Sequence, residues 1–364
     1  MYNVFSGTFL FSLAVSLIVT TITTPIFIFL FKKYKILIDD PKQHIHPAII
    51  HTKPIPRGGG LPFYLGVLVS GIIFLPHTKL TLILFIASLI ALLIGLIDDK
   101  VGDFSRYIRF LANIFCALLV VGSGISIPFI TNPFGGILHL DTVRISFSFF
   151  GTHSILLLSD VIAGLWLVWV MNMLNWSKGV DGQMPGIVAI SAFVIGILSL
   201  RFASVDSHSL LAAQLSFIIA GASIGFLFYN FYPAKIFPGY GATSIYLLLS
   251  VVSILSSAKL ATAILVMGVP MVDGIFTLFR RLLSGKSVFK GDKKHLHHLL
   301  LQKGWSQRRI ALFYWLVSAI LGTVALLLNS KGKLFALCML AVVVTGALLF
   351  LHFSTQKDEK NKIV

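Results

Sequence analysis

The sequence predicts an all-α protein, a polytopic bundle of transmembrane helices. Of its 364 residues, 57% are hydrophobic and only 12% are charged, and the mean hydropathy is +0.93. A water-soluble domain would have to expose much of this apolar surface, so lipid must solvate a large part of the chain. The apolar runs are about 17–25 residues long, which is enough for a helix to cross a bilayer.

About eleven such spans follow one another and predict a single membrane domain, residues 1–353, followed by a short charged tail, residues 354–364. The second and eighth spans are short, and only four residues separate the eighth from the ninth. A count of ten is the alternative. The predicted spans lie near residues 5–31, 61–76, 79–97, 106–127, 155–174, 184–201, 209–229, 242–257, 259–279, 309–328 and 333–353.

The distribution of charge predicts how these spans are oriented. When successive loops are assigned to alternate sides, most of the 29 Lys and Arg residues fall on one side. Because basic residues concentrate in cytosolic loops, we expect that side to be cytosolic in the plasma membrane, with the N-terminus outside and the C-terminus inside. Basic cytosolic loops favour anionic lipids and phosphorylated substrates as partners, and not nucleic acid. On the outer side, alternating residues from Ile137 to Phe149 predict a small hairpin within residues 128–154.

Two adjacent acids, Asp98 and Asp99, close the third span. Acids are costly at the foot of a membrane helix, and the helix macrodipole disfavours them at a C-terminus. One carboxylate can hold a hard cation such as Mg²⁺, and repulsion between the two charges would suit one of them to proton abstraction. The pair is therefore predicted to be catalytic and metal-binding; the alternative is a solvated helix end.

In the first cytosolic loop, Lys53 and Arg57 precede three glycines at the start of the second span. Backbone N–H groups of glycines before a helix can approach an anion, and the basic side chains can add charge-assisted contacts to phosphate. The alternative is a flexible loop that carries ordinary positive-inside residues.

The third and fourth loops carry amides and aromatic residues. Asn172 and Asn175 share one helix face, and Asp181 follows in a glycine-rich turn, a combination that suits recognition of a base or a sugar. Ordinary helix capping is the alternative. In the fourth loop, Asn230 and Phe237 belong to an aromatic segment that either stacks on a nucleobase or forms an interfacial belt.

The fifth loop is the most polar, with Arg280, Arg281, His295, His297 and His298. Imidazoles so close together, beside an acid, can bind a metal or a pyrophosphate. Tetrahedral zinc sites usually have wider ligand spacing, so phosphate binding is favoured. A positive-inside loop with incidental histidines is the alternative.

Taken in order, these motifs resemble the polyprenyl-phosphate N-acetylhexosamine-1-phosphate transferase family, glycosyltransferase family 4, over roughly residues 35–300. The resemblance implies transfer of a phospho-sugar from a UDP-sugar to undecaprenyl or another polyprenyl phosphate, with Mg²⁺ as cofactor and release of UMP. It also implies a homodimer. The His-Leu-His-His form and the eleventh span resemble the branch that uses UDP-N-acetylglucosamine for teichoic-acid, O-antigen or related polymers. The phospho-N-acetylmuramoyl-pentapeptide transferase branch is the alternative.

The resemblance also implies roles for individual residues. One of Asp98 and Asp99 would lie near the metal and the pyrophosphate, and the other would deprotonate the lipid phosphate. The uridine would contact Asp181, Asn230 and Phe237. Three histidines of the fifth loop, His295, His297 and His298, would contact phosphate or sugar.

The chain departs from the family pattern where Lys178 and Tyr240 occupy positions at which the family has an aspartate. Three consequences are possible. Another acid, such as Asp273 or Asp292, replaces the missing metal ligand, or the metal is held more loosely. The third is that the chain is a degenerate lipid-carrier or nucleotide-binding protein. An enzyme is favoured because the acid pair and the histidines are intact. The third class of function, after an enzyme and a binding protein, is a transporter. Acids within the membrane can be ion sites, and Asp160 is the one acid well inside a predicted span.

Overall fold

The computed structural model describes residues 7–42, 51–102, 104–132, 134–148, 152–204, 206–255, 260–287 and 294–361. In these residues the chain forms thirteen helices and six short strands, so the predicted all-α architecture is confirmed. The helices are α1 (Gly7–Tyr34), α2 (Gly60–Phe74), α3 (Lys79–Val101), α4 (Arg106–Gly122), α5 (Leu157–Trp176), α6 (Gln183–Leu200), α7 (Ser207–Asn230), α8 (Thr243–Ile254), α9 (Leu260–Val266), α10 (Gly268–Leu283), α11 (Leu296–Gln302), α12 (Gln307–Leu327) and α13 (Ser330–Asn361).

Seven of the described helices are long and apolar enough to cross a membrane, and an eighth crossing results if α9 and α10 form one span that bends by 83°. The seven are α1, α3, α5, α6, α7, α12 and α13. Both α2 and α8 are apolar but shorter, and α4 carries two arginines in its first turn. Each of the eleven predicted spans thus coincides with a helix or with the bent pair. The number of crossings stays a prediction.

The helix α8 forms the centre of the bundle, and every one of its residues is buried. It packs against α3, α5 and α7. A helix that is apolar on all sides must be surrounded by protein or by lipid, and in α8 protein covers every side. The loop that leads into α8, residues 231–242, is consequently drawn into the bundle beside the end of α3.

Small residues allow the helices around this centre to approach closely. A Cβ added at Gly221 of α7 would lie 2.1 Å from the carbonyl oxygen of Leu13 in α1, so these two backbones are nearly in contact. Such packing through small side chains is typical of membrane helices, which gain no hydrophobic energy by leaving lipid. The buried small polar residues of α1 recur at every fourth position and are Ser12, Ser16, Thr20 and Thr24.

Three two-stranded hairpins complete the fold. In the first, β1 (Ile38–Asp39) pairs with β2 (Ile55–Pro56) and fixes the first loop. The predicted outer hairpin is two hairpins in the structure, because the alternating residues belong to strands with different partners. These pairs are β3 (Phe129–Thr131) with β4 (Ile137–His139), and β5 (Arg144–Ser148) with β6 (Thr152–Leu156).

Replacing Gly95 of α3 with alanine is expected to destabilise the bundle. A Cβ at Gly95 would lie 2.5 Å from the backbone nitrogen of Gly241, and overpacking of this kind costs about 1–3 kcal/mol. Thermal unfolding of the detergent-purified protein should therefore show a lower midpoint for Gly95→Ala. Gly164→Ala is the matched control, since its added Cβ meets nothing within 4 Å. Equal midpoints for the two variants would contradict the close approach of α3 to the fourth loop.

Candidate active site

The carboxylate of Asp99, at the end of α3, is fully buried and surrounded by donors. Its Oδ1 accepts a hydrogen bond of 2.8 Å from the backbone N–H of Tyr240, and its Oδ2 accepts one of 3.1 Å from that of Gly241. The guanidinium Nε of Arg57 lies 3.1 Å from Oδ1. Both carboxylate oxygens are thus engaged by the first and fourth loops.

Backbone hydrogen bonds hold these two loops together. The N–H of Gly59 donates to the carbonyl of Phe237 at 2.9 Å, and the N–H of Phe237 donates to the carbonyl of Pro56 at 2.7 Å. Arg57 is further anchored by Asp39, whose Oδ2 lies 3.6 Å from Nη1. The glycines of the first loop were predicted to bind phosphate through their N–H groups. In the structure the N–H of Gly59 is already hydrogen-bonded to the fourth loop, so this glycine has a structural role.

Asp98 turns toward a different helix, as expected for a neighbour rotated by about 100° along α3. It is buried, and its Oδ1 lies 3.0 Å from Nε of Arg109 in α4. In the same helix, Asn113 donates a hydrogen bond of 3.1 Å to the hydroxyl of Tyr240. The acid pair therefore positions two different arginines, Arg57 and Arg109, on either side of the α3 terminus.

Lys178 extends from the third loop toward the acid pair. Its ammonium donates to Oδ1 of Asn175 at 2.8 Å and to the carbonyl of Gly239 at 2.7 Å. Asn175 is itself anchored, because its Nδ2 donates to Oγ1 of Thr243 at 2.8 Å. Desolvation in the protein interior lowers the pKa of Lys178 to about 7, and the Asp99 carboxylate opposes this shift.

The histidine segment is oriented by a carboxylate from α10. Asp273 Oδ2 lies 2.9 Å from Nδ1 of His295, and its Oδ1 accepts the N–H of Leu296 at 3.0 Å. Because a carboxylate accepts, the proton of a neutral His295 lies on Nδ1 and Nε2 is the acceptor nitrogen. The His297 ring stacks on that of His295 at 5.7 Å, and burial holds the pKa of His297 well below its usual range.

A cavity of about 450 Å³ lies between α4, α5 and α10 and opens beside these groups. Its lining combines cationic and apolar side chains, so it suits an amphiphile with an anionic headgroup. The cationic residues are Arg57, Arg106, Arg109, Lys178 and Arg281, and the apolar ones include Phe110, Leu165, Val168, Trp169 and Leu278.

The structure brings many of the predicted site residues to this cavity. The predicted residues in its lining are Arg57, Asn172, Asn175, Arg281 and His295. Asp98 and Asp99 lie directly behind it, paired with two of its arginines. His297 and His298 are buried in α11, where a Cβ at Gly179 would collide with the His297 ring.

Other predicted residues lie elsewhere and brace the fourth loop. Asp181 accepts the N–H of Ala234 at 2.9 Å, and Asn230 accepts the N–H of Gly182 at 3.1 Å. Phe237 packs edge-on against the ring of His51, with 5.0 Å between centroids. Lys53 is exposed and Arg280 is half-buried, and Arg280 donates to the carbonyl of Lys294 at 3.3 Å.

Two residues that were not predicted to belong to the site, Arg106 and Arg109, supply two of the five cations of the cavity. In the sequence their helix has the composition of one more apolar span. The sequence did contain a signal that these arginines belong to the site. They lie three residues apart at the start of that span, and charged side chains in membrane helices usually face a functional cavity.

The residues of this site fit a Mg²⁺ ion poorly. Mg²⁺ is held by carboxylate and other oxygen ligands in near-octahedral geometry. Here both oxygens of Asp99 accept from N–H groups, and Asp98 pairs with Arg109. Asp273, predicted as a substitute ligand, is paired with His295, and Asp292 lies outside the described residues. Among the described residues no group of three or more His, Cys, Asp or Glu side chains is placed to hold a metal ion.

Comparison with known proteins shows what the chain is similar to. The family described as Glycosyl transferase family 4 matches residues 81–257. The chain is 29% identical to a probable undecaprenyl-phosphate N-acetylglucosaminyl 1-phosphate transferase of Bacillus subtilis (strain 168), over 96% of this chain and 92% of the relative. It is also 29% identical to a decaprenyl-phosphate N-acetylglucosaminephosphotransferase of Mycobacterium leprae (strain TN), over 85% of this chain and 82% of the relative.

A phospho-N-acetylmuramoyl-pentapeptide-transferase of Orientia tsutsugamushi (strain Ikeda) is 25% identical over 87% of this chain and 90% of its own length. The resemblance predicted from the motifs is thus confirmed: the chain is similar over most of its length to polyprenyl-phosphate N-acetylglucosaminyl 1-phosphate transferases, and glycosyl transferase family 4 matches its residues 81–257. Its match to the N-acetylglucosamine branch is the stronger of the two.

The lowered pKa of Lys178 predicts a pH dependence of stability. Between pH 7 and the ordinary lysine pKa, the unfolded chain holds the Lys178 proton more tightly than the native chain. The contribution of Lys178 to stability therefore rises as the pH is raised from about 7 to about 9. In Lys178→Met the rise of the unfolding midpoint over this range should shrink, whereas Lys53→Met, at an exposed lysine, should behave as the wild type. An unchanged rise in Lys178→Met would contradict the assignment.

Proposed function

We propose that this protein transfers phospho-N-acetylglucosamine from UDP-N-acetylglucosamine to undecaprenyl or another polyprenyl phosphate, with release of UMP, at the cytosolic face of the plasma membrane. The names and coverage of the relatives support the reaction. The observation that carries it is the cavity beside Asp98 and Asp99, because its lining combines cationic and apolar side chains.

The cavity accounts for an acceptor that is both charged and extremely apolar. The lipid phosphate would lie against the guanidinium groups of Arg106, Arg109 and Arg281, where charge-assisted hydrogen bonds are strongest. The isoprenoid chain would follow Leu165 and Leu278 toward the lipid. The N-acetylglucosamine donor would enter from the loops, beside Arg57 and the third-loop amides.

The reaction joins two anions, so its barrier is largely electrostatic. An oxygen of the lipid phosphate attacks the sugar-side phosphorus, a new P–O bond forms, and the bond to the uridylyl phosphate breaks with its electron pair on UMP. Asp98 and Asp99 hold Arg109 and Arg57 in place, and these cations reduce the repulsion between the reactants. Positioning and preorganised charge then supply most of the acceleration.

The orientation required by this proposal agrees with the predicted topology. The cationic lining comes from loops and helix ends that the positive-inside pattern assigns to the cytosol. Eleven crossings, with α2, α4 and α8 among them, would place the N-terminus outside and the C-terminus inside. The homodimer implied by the family resemblance is part of the same proposal.

Two alternatives differ in substrate or in turnover. A phospho-N-acetylmuramoyl-pentapeptide transferase is favoured by relatives that are 25–27% identical to the chain. A binding protein without turnover is favoured by Lys178 and Tyr240, which replace acids of the family pattern.

A reconstituted assay distinguishes these functions. Purified protein is incubated with undecaprenyl phosphate and labelled UDP-N-acetylglucosamine or UDP-N-acetylmuramoyl-pentapeptide, with and without Mg²⁺. We expect lipid-linked N-acetylglucosamine phosphate and an equal amount of UMP. Product from the muramoyl donor alone would favour the first alternative. Binding of UDP-sugar without product from any UDP-sugar would end the transferase proposal.

Two aspartate variants make this assay specific for the site. Removing a group that orients active-site charge typically costs about 10²–10³ in turnover, so Asp98→Asn should lower transfer by about that factor. Asp160→Asn is the control, because Asp160 lies at the other end of its helix and accepts the N–H of Leu156 at 2.9 Å. Loss of transfer in Asp160→Asn together with full transfer in Asp98→Asn would contradict the proposed site and favour a transporter.

The pairing of Asp273 with His295 generates a separate prediction. In Asp273→Asn the amide oxygen can still accept the N–H of Leu296, but the amide NH₂ would donate to Nδ1 and move the His295 proton to Nε2. If Nε2 must accept a proton or a substrate hydrogen bond, kcat should fall by about 10²-fold with little change in thermal stability. An unchanged kcat would show that the tautomer of His295 does not matter.

A further inference from the structure

Lys178 is held more rigidly than a lysine in a surface loop. Its ammonium is fixed from two sides by Asn175 and by the carbonyl of Gly239, and Asn175 is in turn bonded to Thr243. The side chain is half-buried, and its accessible part faces the cavity. A flexible lysine loses entropy when it binds a ligand, whereas this one is already ordered.

The charge around the acid pair is already compensated by side chains. Arg57 and Lys178 act electrostatically on both carboxylates, and Arg109 acts on that of Asp98. Below about pH 7, where Lys178 is protonated, three cations beside two anions leave an excess of positive charge before any ligand binds. A divalent cation would therefore be repelled here, in addition to finding the oxygens of Asp99 occupied.

Tyr240 fits the same arrangement. Two cations lie near its ring, with Lys178 Nζ at 5.5 Å and Arg109 Cζ at 5.4 Å from the centroid. Aromatic faces attract cations, so a tyrosine can separate the two groups without adding a charge. Burial raises the pKa of Tyr240 to about 12, and its hydroxyl stays neutral and accepts from Asn113. Lys178 and Tyr240, the two departures from the family pattern, are thus in contact and complementary.

We propose that the ammonium of Lys178 takes the place of a divalent cation at this acid pair and is the counter-ion of the donor diphosphate. An ammonium has three N–H donors, and the hydrogen bonds to Asn175 and Gly239 use two of them. The third is available to a phosphate oxygen, with Arg57 in the same cavity lining. The inference rests on the proposed function, and it predicts that donor binding and transfer do not require Mg²⁺.

The first test uses the wild-type protein and no variant. Mn²⁺, which reports on Mg²⁺ sites by electron paramagnetic resonance, should show no stoichiometric binding to the purified full-length chain. The affinity for UDP-N-acetylglucosamine, measured by calorimetry, should agree within about twofold in EDTA and in Mg²⁺, a difference well below 1 kcal/mol. Stoichiometric Mn²⁺ binding, or loss of donor affinity in EDTA, would overturn the inference.

Variants of Lys178 then test whether its ammonium is the group that binds the donor without Mg²⁺. Lys178→Met removes the charge at similar length and should weaken donor binding about tenfold or more, with no recovery in Mg²⁺, as expected for loss of a charge-assisted hydrogen bond. Lys178→Arg keeps the charge and should remain independent of Mg²⁺. Lys79→Met, at an exposed lysine at the opposite end of α3 from the acid pair, is the control and should bind the donor as the wild type does.

A reverse substitution provides the strongest contrast. The double variant Lys178→Asp with Tyr240→Asp replaces the ammonium by two oxygen ligands beside the acid pair. It should bind Mn²⁺ and should bind UDP-N-acetylglucosamine only when a divalent cation is present. Donor binding by Lys178→Met that equals the wild type, in EDTA, would overturn the role of Lys178.

The outcomes separate this inference from the proposed function. Transfer that requires Mg²⁺ would overturn the inference and leave the transferase proposal standing. Donor binding that is independent of Mg²⁺, without transfer, would overturn the transferase proposal and leave Lys178 as the diphosphate counter-ion. Failure to bind the donor under either condition would overturn both.

Discussion

The arrangement of the site depends on one buried carboxylate, that of Asp99. An ionised group in the protein interior is tolerated only when partners replace the lost water. Asp99 meets this requirement with two backbone N–H groups of the fourth loop and the guanidinium of Arg57 from the first. Asp99 therefore connects three distant parts of the sequence, namely α3, the first loop and the fourth loop. Gly95 has no side chain, so the backbone of the fourth loop can approach α3 closely enough to form these hydrogen bonds.

The same interaction changes how the acid pair contributes to chemistry. The sequence suggested that Asp98 and Asp99 collect a metal ion, which would in turn attract phosphate. In the structure the two carboxylates instead hold Arg57 and Arg109, and Lys178 adds a third cation. Positive charge at the cavity thus comes from covalently attached side chains. This suits a cavity whose ligands carry phosphate, since preorganised charges need no rearrangement when the ligand binds.

Much of the fold and part of the site could be predicted from the sequence. The spans are set by the length and composition of each segment, which are local properties, and each predicted span coincides with helix. The position of Asp98 and Asp99 at the foot of α3 is local as well. The pairing of Asp99 with Arg57 is not a local property, because it depends on how the loops pack around the buried helix α8.

Local patterns do not reveal the tertiary contacts of a side chain. Asp181 and Asn230 have the residue types of a ligand site, and in the structure their hydrogen bonds to Ala234 and Gly182 hold the fourth loop in place, while their role in binding stays a prediction. Arg109 was not predicted because its helix is apolar enough to be assigned to the membrane. Alternation likewise detected outer strands but could not give their partners, because pairing depends on turns and register.

A double-mutant cycle on Asp99 and Arg57 tests the central interaction most directly. The free energy of unfolding is measured in detergent mixtures for the wild type, Asp99→Asn, Arg57→Gln and the double variant. Groups in contact typically couple by about 0.5–3 kcal/mol, and a buried ion pair should lie in the upper half of that range. Effects that add within about 0.5 kcal/mol would show that the two groups do not interact, and would contradict a site organised around the Asp99 carboxylate.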